Sequence, residues 1–183
     1  QLRAGATLLV DDGVATVIDR CLEARAITSG AFDPWSLPEG FDPRGLLHGW
    51  TAEVCAQVLR RHGLRRFGVE VTGDLVCRGD TWRVGVPHPD DPARTVAQLE
   101  VRDGAVATSS ADDVVDPRTG LRATGCRQAT VVGPDAVLAD ALATALVVSG
   151  VEGSRWFAQL PHWSACLVVG DELAWWGDAV LPS

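Results

Sequence analysis

The segment Ala136–Val148 limits the fold of this chain more than any other. Apart from Asp140 and Thr144, every side chain in it is apolar. A helix that is apolar all round is a buried helix, so the rest of the chain must supply layers that enclose it. We read a helix over Ala136–Ser149, entered from a short strand at Ala129–Val132.

The remaining pattern supplies those layers. Val14, Val17, Ile18, Cys21 and Leu22 give helical spacing over Val14–Ala26, which Thr28-Ser29-Gly30 ends. Residues Ala31–Phe41 carry Pro34, Pro38 and Gly40 and read as a loop. A second helix has Asp42 as N-cap, Pro43 at its first position and Gly63 just past its end. Its expected apolar stripe is Leu47, Trp50, Val54 and Val58, with Glu53, Gln57, Arg60 and Arg61 facing away. Phe67–Val76 and Trp82–Val86 read as strands around an Arg78-Gly79-Asp80 turn. Val96–Val101 and Ala105–Thr108 read as a hairpin about Asp103-Gly104. A short helix near Ser154–Gln159 precedes strands Ala165–Val169 and Leu173–Trp176. With no internal repeat and no Gly/Ser-rich linker, residues 1–183 are expected to form one α+β domain, its sheet mostly antiparallel with helices packed on it.

Composition removes several function classes. The net charge is −8, and such a surface repels phosphate backbones, which argues against nucleic-acid partners. No apolar run reaches the length of a membrane span; Ala141–Val148 is the longest and stops at Ser149-Gly150. The five cysteines include no CxxC pair and are odd in number, which fits small core residues in a reducing compartment better than zinc or disulfides. A cytoplasmic location is therefore favoured over an extracytoplasmic one. No signal-like leader is visible from Gln1, although the chain does not begin with Met and a preceding portion is expected.

Five segments could carry chemistry. Asp140 and Thr144, one helical turn apart, present a carboxylate and a hydroxyl on one face. Two oxygen donors at that spacing suit Mg2+, which shares its ligands with substrate phosphates; local hydrogen bonds to the backbone account for the same pair. The turn Asp116-Pro117-Arg118-Thr119-Gly120 offers N–H groups and a guanidinium for an anion, or is an ordinary surface turn. Gly45 and Gly49, flanking His48 at the start of the second helix, permit a phosphate or simply tight packing against the sheet. Thr72-Gly73-Asp74 and Ala107-Thr108-Ser109-Ser110 fit either a site or plain turns.

In this order, the segments resemble the motifs of the ApbE family of flavin transferases. Gly45–Gly49 stands where that family has Gly-x-Ala-Lys-Gly, and Glu70–Asp74 where it has Asn-x-Gly-Gly-Asp. Ala107–Ser110 stands for Ala-Thr-Ser-Gly, Asp113–Gly120 for His-Ile-Ile-Asp-Pro-x-Thr-Gly, and Ala139–Thr144 for Ala-Asp-Ala-x-Ala-Thr. Thr28–Pro34 is similar to the family's Thr-x-Gly-x-Phe-Asp. The Asp-Pro-Arg-Thr-Gly and Ala-Asp-Ala-Leu-Ala-Thr stretches are the most specific when found in order.

The resemblance implies an ApbE-like (T-fold-like) α+β fold and an FAD:protein FMN transferase. Such an enzyme moves FMN from FAD onto a Thr or Ser of an acceptor flavoprotein carrying a flavinylation motif, and releases AMP. It implies Mg2+ held by Asp140, Thr144 and the Leu47 carbonyl. It also implies a nucleotide pocket lined by Gly45, Gly49, Thr108, Ser109, Asp116, Arg118, Thr119 and Gly120. The family lysine is His48 here, Glu70 and Thr72 replace its Asn and first Gly, and Asp113 replaces the histidine that is a candidate base. His48 and Asp113 are thus the expected catalytic side chains. A carboxylate is the weaker base unless burial raises its pKa. These substitutions leave two alternatives: a catalytically impaired flavin-binding module, and an FAD pyrophosphatase in which water replaces the acceptor.

Overall fold

The computed structural model describes residues 11–38, 40–177 and 180–181. Its centre is α3 (Ala136–Ser149), in which every residue except Thr144 and Ser149 is buried. Asp135 caps its start by accepting from the Leu138 N–H at 2.9 Å, and Gly150, at φ 56°, ends it. With the short helical turns after it, the stretch Ala136–Phe157 is 22 residues long, enough by length and composition alone to cross a membrane. Most of it is buried inside the protein, the position of a core helix.

The main sheet has six strands: β1 (Phe67–Val71), β2 (Asp74–Arg78), β5 (Ala105–Ser110), β6 (Gln128–Gly133), β7 (Ser164–Val169) and β8 (Glu172–Trp176), side by side in that order and antiparallel throughout. A smaller sheet joins β3 (Thr81–His88), β4 (Asp91–Arg102) and β9 (Val180–Leu181). Period-two alternation divides the side chains of the main sheet between two layers. Ala107, Ala129, Val131 and Leu167 pack under α3 and α1 (Asp12–Ile27). Val106 and Val132 point the other way, onto Val86, Leu99 and Val101 of the small sheet. The order is helices, main sheet, small sheet.

Three expectations are corrected. The strand read over Phe67–Val76 is a hairpin, because Thr72 (φ 48°) and Gly73 (φ 97°) turn the chain between β1 and β2. Val96–Val101 and Ala105–Thr108 do not pair with each other. At Asp103-Gly104 the chain crosses between sheets, so β4 joins β3 while β5 joins β2 and β6. Alternation within each strand was legible, but it carries no information about partners. In α2 (Arg44–Arg61) the buried face is Leu46, Gly49, Ala52 and Ala56, while Val54 and Val58 are 39% and 46% exposed. Close approach to a neighbouring helix selects small residues, so the bulkier stripe lies outward. Four of the five cysteines are buried and all five are free thiols, in keeping with core residues.

Candidate functional site

The site forms where α2 crosses α3. A Cβ on Gly49 would lie 2.1 Å from the Ala136 carbonyl oxygen and 3.1 Å from the Asp140 Cβ; one on Gly45 would lie 3.1 Å from Thr144 Oγ1. Gly49 is therefore required for the helices to touch and Gly45 fits closely; both face α3, whereas the packing alternative in the sequence had them against the sheet. The contact sets the Gly49 N–H 3.2 Å from Asp140 Oδ2, to which it donates. Gly45 leaves helical geometry (φ −74°, ψ 17°) and opens the first turn of α2 towards the cavity. The helix starts one residue later than expected: Pro43 occupies the N-cap position, and Asp42, one residue outside it, accepts from the Arg44 N–H at 3.1 Å.

A cavity of about 440 Å3 opens here. It is lined by Gly45 and His48 from α2, Thr72 and Asp74 from the β1–β2 turn, Thr108, Ser109 and Ser110 from the end of β5, Asp113 and Pro117 beyond it, and Asp140 and Thr144 from α3. Phe32, Asp33 and Leu37 of the loop after α1 form another wall. The hydroxyls are mutually bonded: Thr144 to Ser109 at 3.2 Å, and Thr108 to Thr130 at 2.9 Å. A second cavity, about 600 Å3, lies at the far end of α2 between Arg60, Arg65, Arg78 and Asp103, and contains none of the motif residues.

Two carboxylates dominate the electrostatics. Asp140 is 5% exposed and Asp74 is 4% exposed. Burial, followed by the neighbouring Asp140 charge, pushes the Asp74 carboxyl up to about 8. Burial also raises Asp140, opposed by the Gly49 N–H, the His48 charge and Asp74. Asp74 Oδ2 meets no hydrogen-bond donor. A buried carboxylate oxygen facing a second carboxylate requires a proton or a cation between them. His48, Asp74 and Asp140 each offer one ligand atom, all within 4.8 Å of one another. The donor set fits a divalent cation. Asp74 is the residue that sequence reasoning left without a role; its only signal was its place at the end of the Glu70–Asp74 segment.

The structure brings Gly45, His48, Thr108, Ser109, Asp113, Asp140 and Thr144 to one cavity. Gly49 is buried behind it and contributes its N–H. Asp116, Arg118, Thr119 and Gly120 are not among the residues that line it, where Val115 and Pro117 represent their turn. Arg118 folds back on Asp116 through Nε at 2.9 Å and Nη2 at 2.8 Å, which holds the Asp116 carboxyl below the usual range. Leu47 is also absent from the lining, and its carbonyl accepts from Thr51 Oγ1 at 2.7 Å.

Comparisons with known proteins bear on the family and the fold. An FAD:protein FMN transferase from Klebsiella pneumoniae is 31% identical over 126 residues, covering 58% of this chain and 36% of the relative. One from Vibrio cholerae is 30% identical over 137 residues, covering 63% and 41%. This chain therefore matches about two fifths or less of the length of these relatives. The crystal structure of the ApbE protein from Thermotoga maritima shares the fold at a TM-score of 0.82, with 21% identity, over 93% of this chain and 77% of that one. The family model for ApbE matches residues 37–168, a span that runs from the cavity loop through α2 and α3 into β7, and by that match the chain belongs to the ApbE family.

Proposed function

We propose that this chain forms the catalytic core of an FAD:protein FMN transferase, a Mg2+-dependent enzyme that moves FMN from FAD to a Thr or Ser of a target flavoprotein. The observation that carries the reading is convergence: segments from α2, the β1–β2 turn, the end of β5 and α3 line one cavity. A ligand held from several sides is the usual reason for such an assembly. The names of the matched relatives support it.

In the proposed reaction the acceptor hydroxyl oxygen attacks the FMN-side phosphorus of FAD. A new P–O bond forms, the pyrophosphate P–O bond breaks, and AMP leaves with the electron pair of that bond. The hydroxyl proton passes to a base. A bound divalent cation supplies charge neutralisation at the pyrophosphate. Asp140 and Thr144 would hold it. Asp140 is oriented by the Gly49 N–H, and Thr144 by the Ser109 hydroxyl. Ser109, on the face of β5 turned to α3, presents its hydroxyl to the phosphates, whereas the Thr108 hydroxyl pairs with Thr130 on the opposite face of the sheet. Asp113, exposed and among the cavity-lining residues, would take the proton from a hydroxyl arriving from solvent.

The test is incubation with FAD and Mg2+, with and without an acceptor flavoprotein domain, followed by chromatography of the nucleotides. AMP release together with a flavin-labelled acceptor is the expected result. AMP release independent of acceptor would make the protein a pyrophosphatase, and FAD retention without AMP would make it a binding module.

A further inference from the structure

Position 48 changes the chemistry of the cation site. We propose that His48, Asp74 and Asp140 form a mixed nitrogen/oxygen site that selects a first-row transition ion of the Mn2+ class over Mg2+. The inference rests on the reading above only for placing that ion beside the FAD pyrophosphate; the donor set itself stands on geometry.

Three observations carry it. First, three ligand atoms from three separate elements come within 4.8 Å of one another. Two donors bound to one ion at about 2.1 Å are separated by roughly 3–4 Å, so small side-chain adjustments complete the site. Second, Asp74 is almost fully buried, lines the cavity, and has an Oδ2 with no donor to satisfy it. The neighbouring Asp140 is a carboxyl too, and without a cation the two can meet only by sharing a proton. A divalent cation between Asp74 and Asp140 would satisfy the open lone pairs and offset the repulsion between two buried negative charges. Third, the remaining donor is an imidazole. Mg2+ prefers an all-oxygen shell and keeps its waters, whereas imidazole suits transition ions, and affinity for nitrogen-containing sites rises along the first-row series. A carboxylate pair alone would not discriminate in this way. His48 is exposed at the cavity side of α2, so its ring can turn to the ion without disturbing the core.

Neither Thr144 nor the Leu47 carbonyl is needed for this site, which shares only Asp140 with the arrangement proposed above. The ion would keep open positions for water or a phosphate oxygen, since the protein supplies three donors.

The test is titration of the intact protein with MnCl2 and with MgCl2 in the absence of FAD, read by calorimetry. Pulsed EPR of the Mn2+ sample detects nitrogen coupling. The expected result is one Mn2+ per chain, at least tenfold tighter than Mg2+, with an imidazole nitrogen signal. His48→Gln should remove the nitrogen signal and weaken Mn2+ binding about tenfold, while changing Mg2+ binding less than threefold. Asp74→Asn should weaken both. Equal Mn2+ and Mg2+ affinities in the wild type, or a Mn2+ site without nitrogen coupling, would overturn the proposal. If Asp74→Asn does not fold, His48→Gln decides alone, since His48 is exposed. Because no flavin is present, a selective site that accompanies an inactive transferase would leave this inference standing and remove the functional one.

Discussion

The main-chain N–H of Gly49 donates to Asp140 Oδ2 at 3.2 Å, so the carboxylate at the heart of the site is held by the backbone of a neighbouring helix. That bond exists only because residue 49 has no side chain. A methyl group there would sit 2.1 Å from the Ala136 carbonyl oxygen, a backbone atom that cannot swing aside. Gly49→Ala should therefore separate α2 from α3, destabilise the protein by about 1–3 kcal/mol, and weaken divalent-ion binding. Gly68→Ala is the control, since its nearest neighbour is a Trp82 ring atom at 3.4 Å and its backbone is ordinary strand. Chemical denaturation and metal titration of both variants measure the difference.

The Asp74–Asp140 pair predicts how the metal-free protein responds to pH. Asp74 has a folded value of about 8, above the ordinary carboxylate value, with burial as the main cause. A raised carboxylate contributes stability that is fully present below the unfolded pKa, near 4, and is lost as pH rises through about 8. In EDTA the wild-type Tm should fall between pH 5 and 9. Asp74→Asn, with nothing to ionise there, should give a flatter profile and a Tm at pH 9 at least ~2 °C above wild type. Adding the divalent ion should invert the order, stabilising the wild type more than the variant. Thermal melts at three pH values, with and without ion, test both halves.

Much of this was written in the sequence. The apolar run around Asp140 and Thr144 marked a buried helix over Ala136–Ser149, the bounds the structure has. The α+β class followed from strand alternation, and the motif order indicated the family. Strand pairing was not legible, because Asp103-Gly104 looks the same whether it closes a hairpin or crosses between sheets. The buried face of α2 was misread because small residues score poorly in an apolar stripe, yet they are what a close helix crossing requires. Asp74 stood in a candidate segment but received no role, for a similar reason. A carboxylate beside a turn glycine reads as surface chemistry, and only the fold reveals that it is buried against Asp140.

Arg118 offers a test of how far motif likeness extends to contact. Its guanidinium is spent on Asp116 and its side chain is 60% exposed. Arg118→Gln should leave FAD affinity within about twofold and cost the turn no more than ~1 kcal/mol, the usual range for an exposed pair. Replacement of a residue that does line the cavity should behave differently. Ser109→Ala removes a hydroxyl bonded to Thr144 at 3.2 Å on the cavity side and should weaken FAD binding severalfold. Flavin fluorescence titration of the two variants side by side distinguishes a turn-holding arginine from a ligand contact.

The remaining prediction concerns the chemical step. Asp113 is exposed, lines the cavity with Asp140 and Thr144 of α3, and stands where the family motif has histidine. Nothing in its surroundings ties it to the fold: no bond to the Asp113 side chain is recorded among the described residues, and only its N–H is engaged, donating to the Ser110 carbonyl at 3.1 Å. Substitution there should therefore cost little stability. An imidazole is neutral and basic near pH 7, where a solvated carboxylate is a weaker acceptor for a hydroxyl proton. A base acts in the transition state and not in ground-state binding of FAD. Asp113→His should thus raise kcat for flavin transfer at pH 7.5 about tenfold or more, leave FAD affinity and Tm unchanged, and introduce a rate dependence on pH between 6 and 8. Asp113→Asn should lower kcat without moving FAD affinity. Single-turnover transfer rates across that pH range, set against FAD titrations of the same variants, distinguish a base from a residue that only shapes the cavity; equal rates in all three proteins would remove Asp113 from the mechanism.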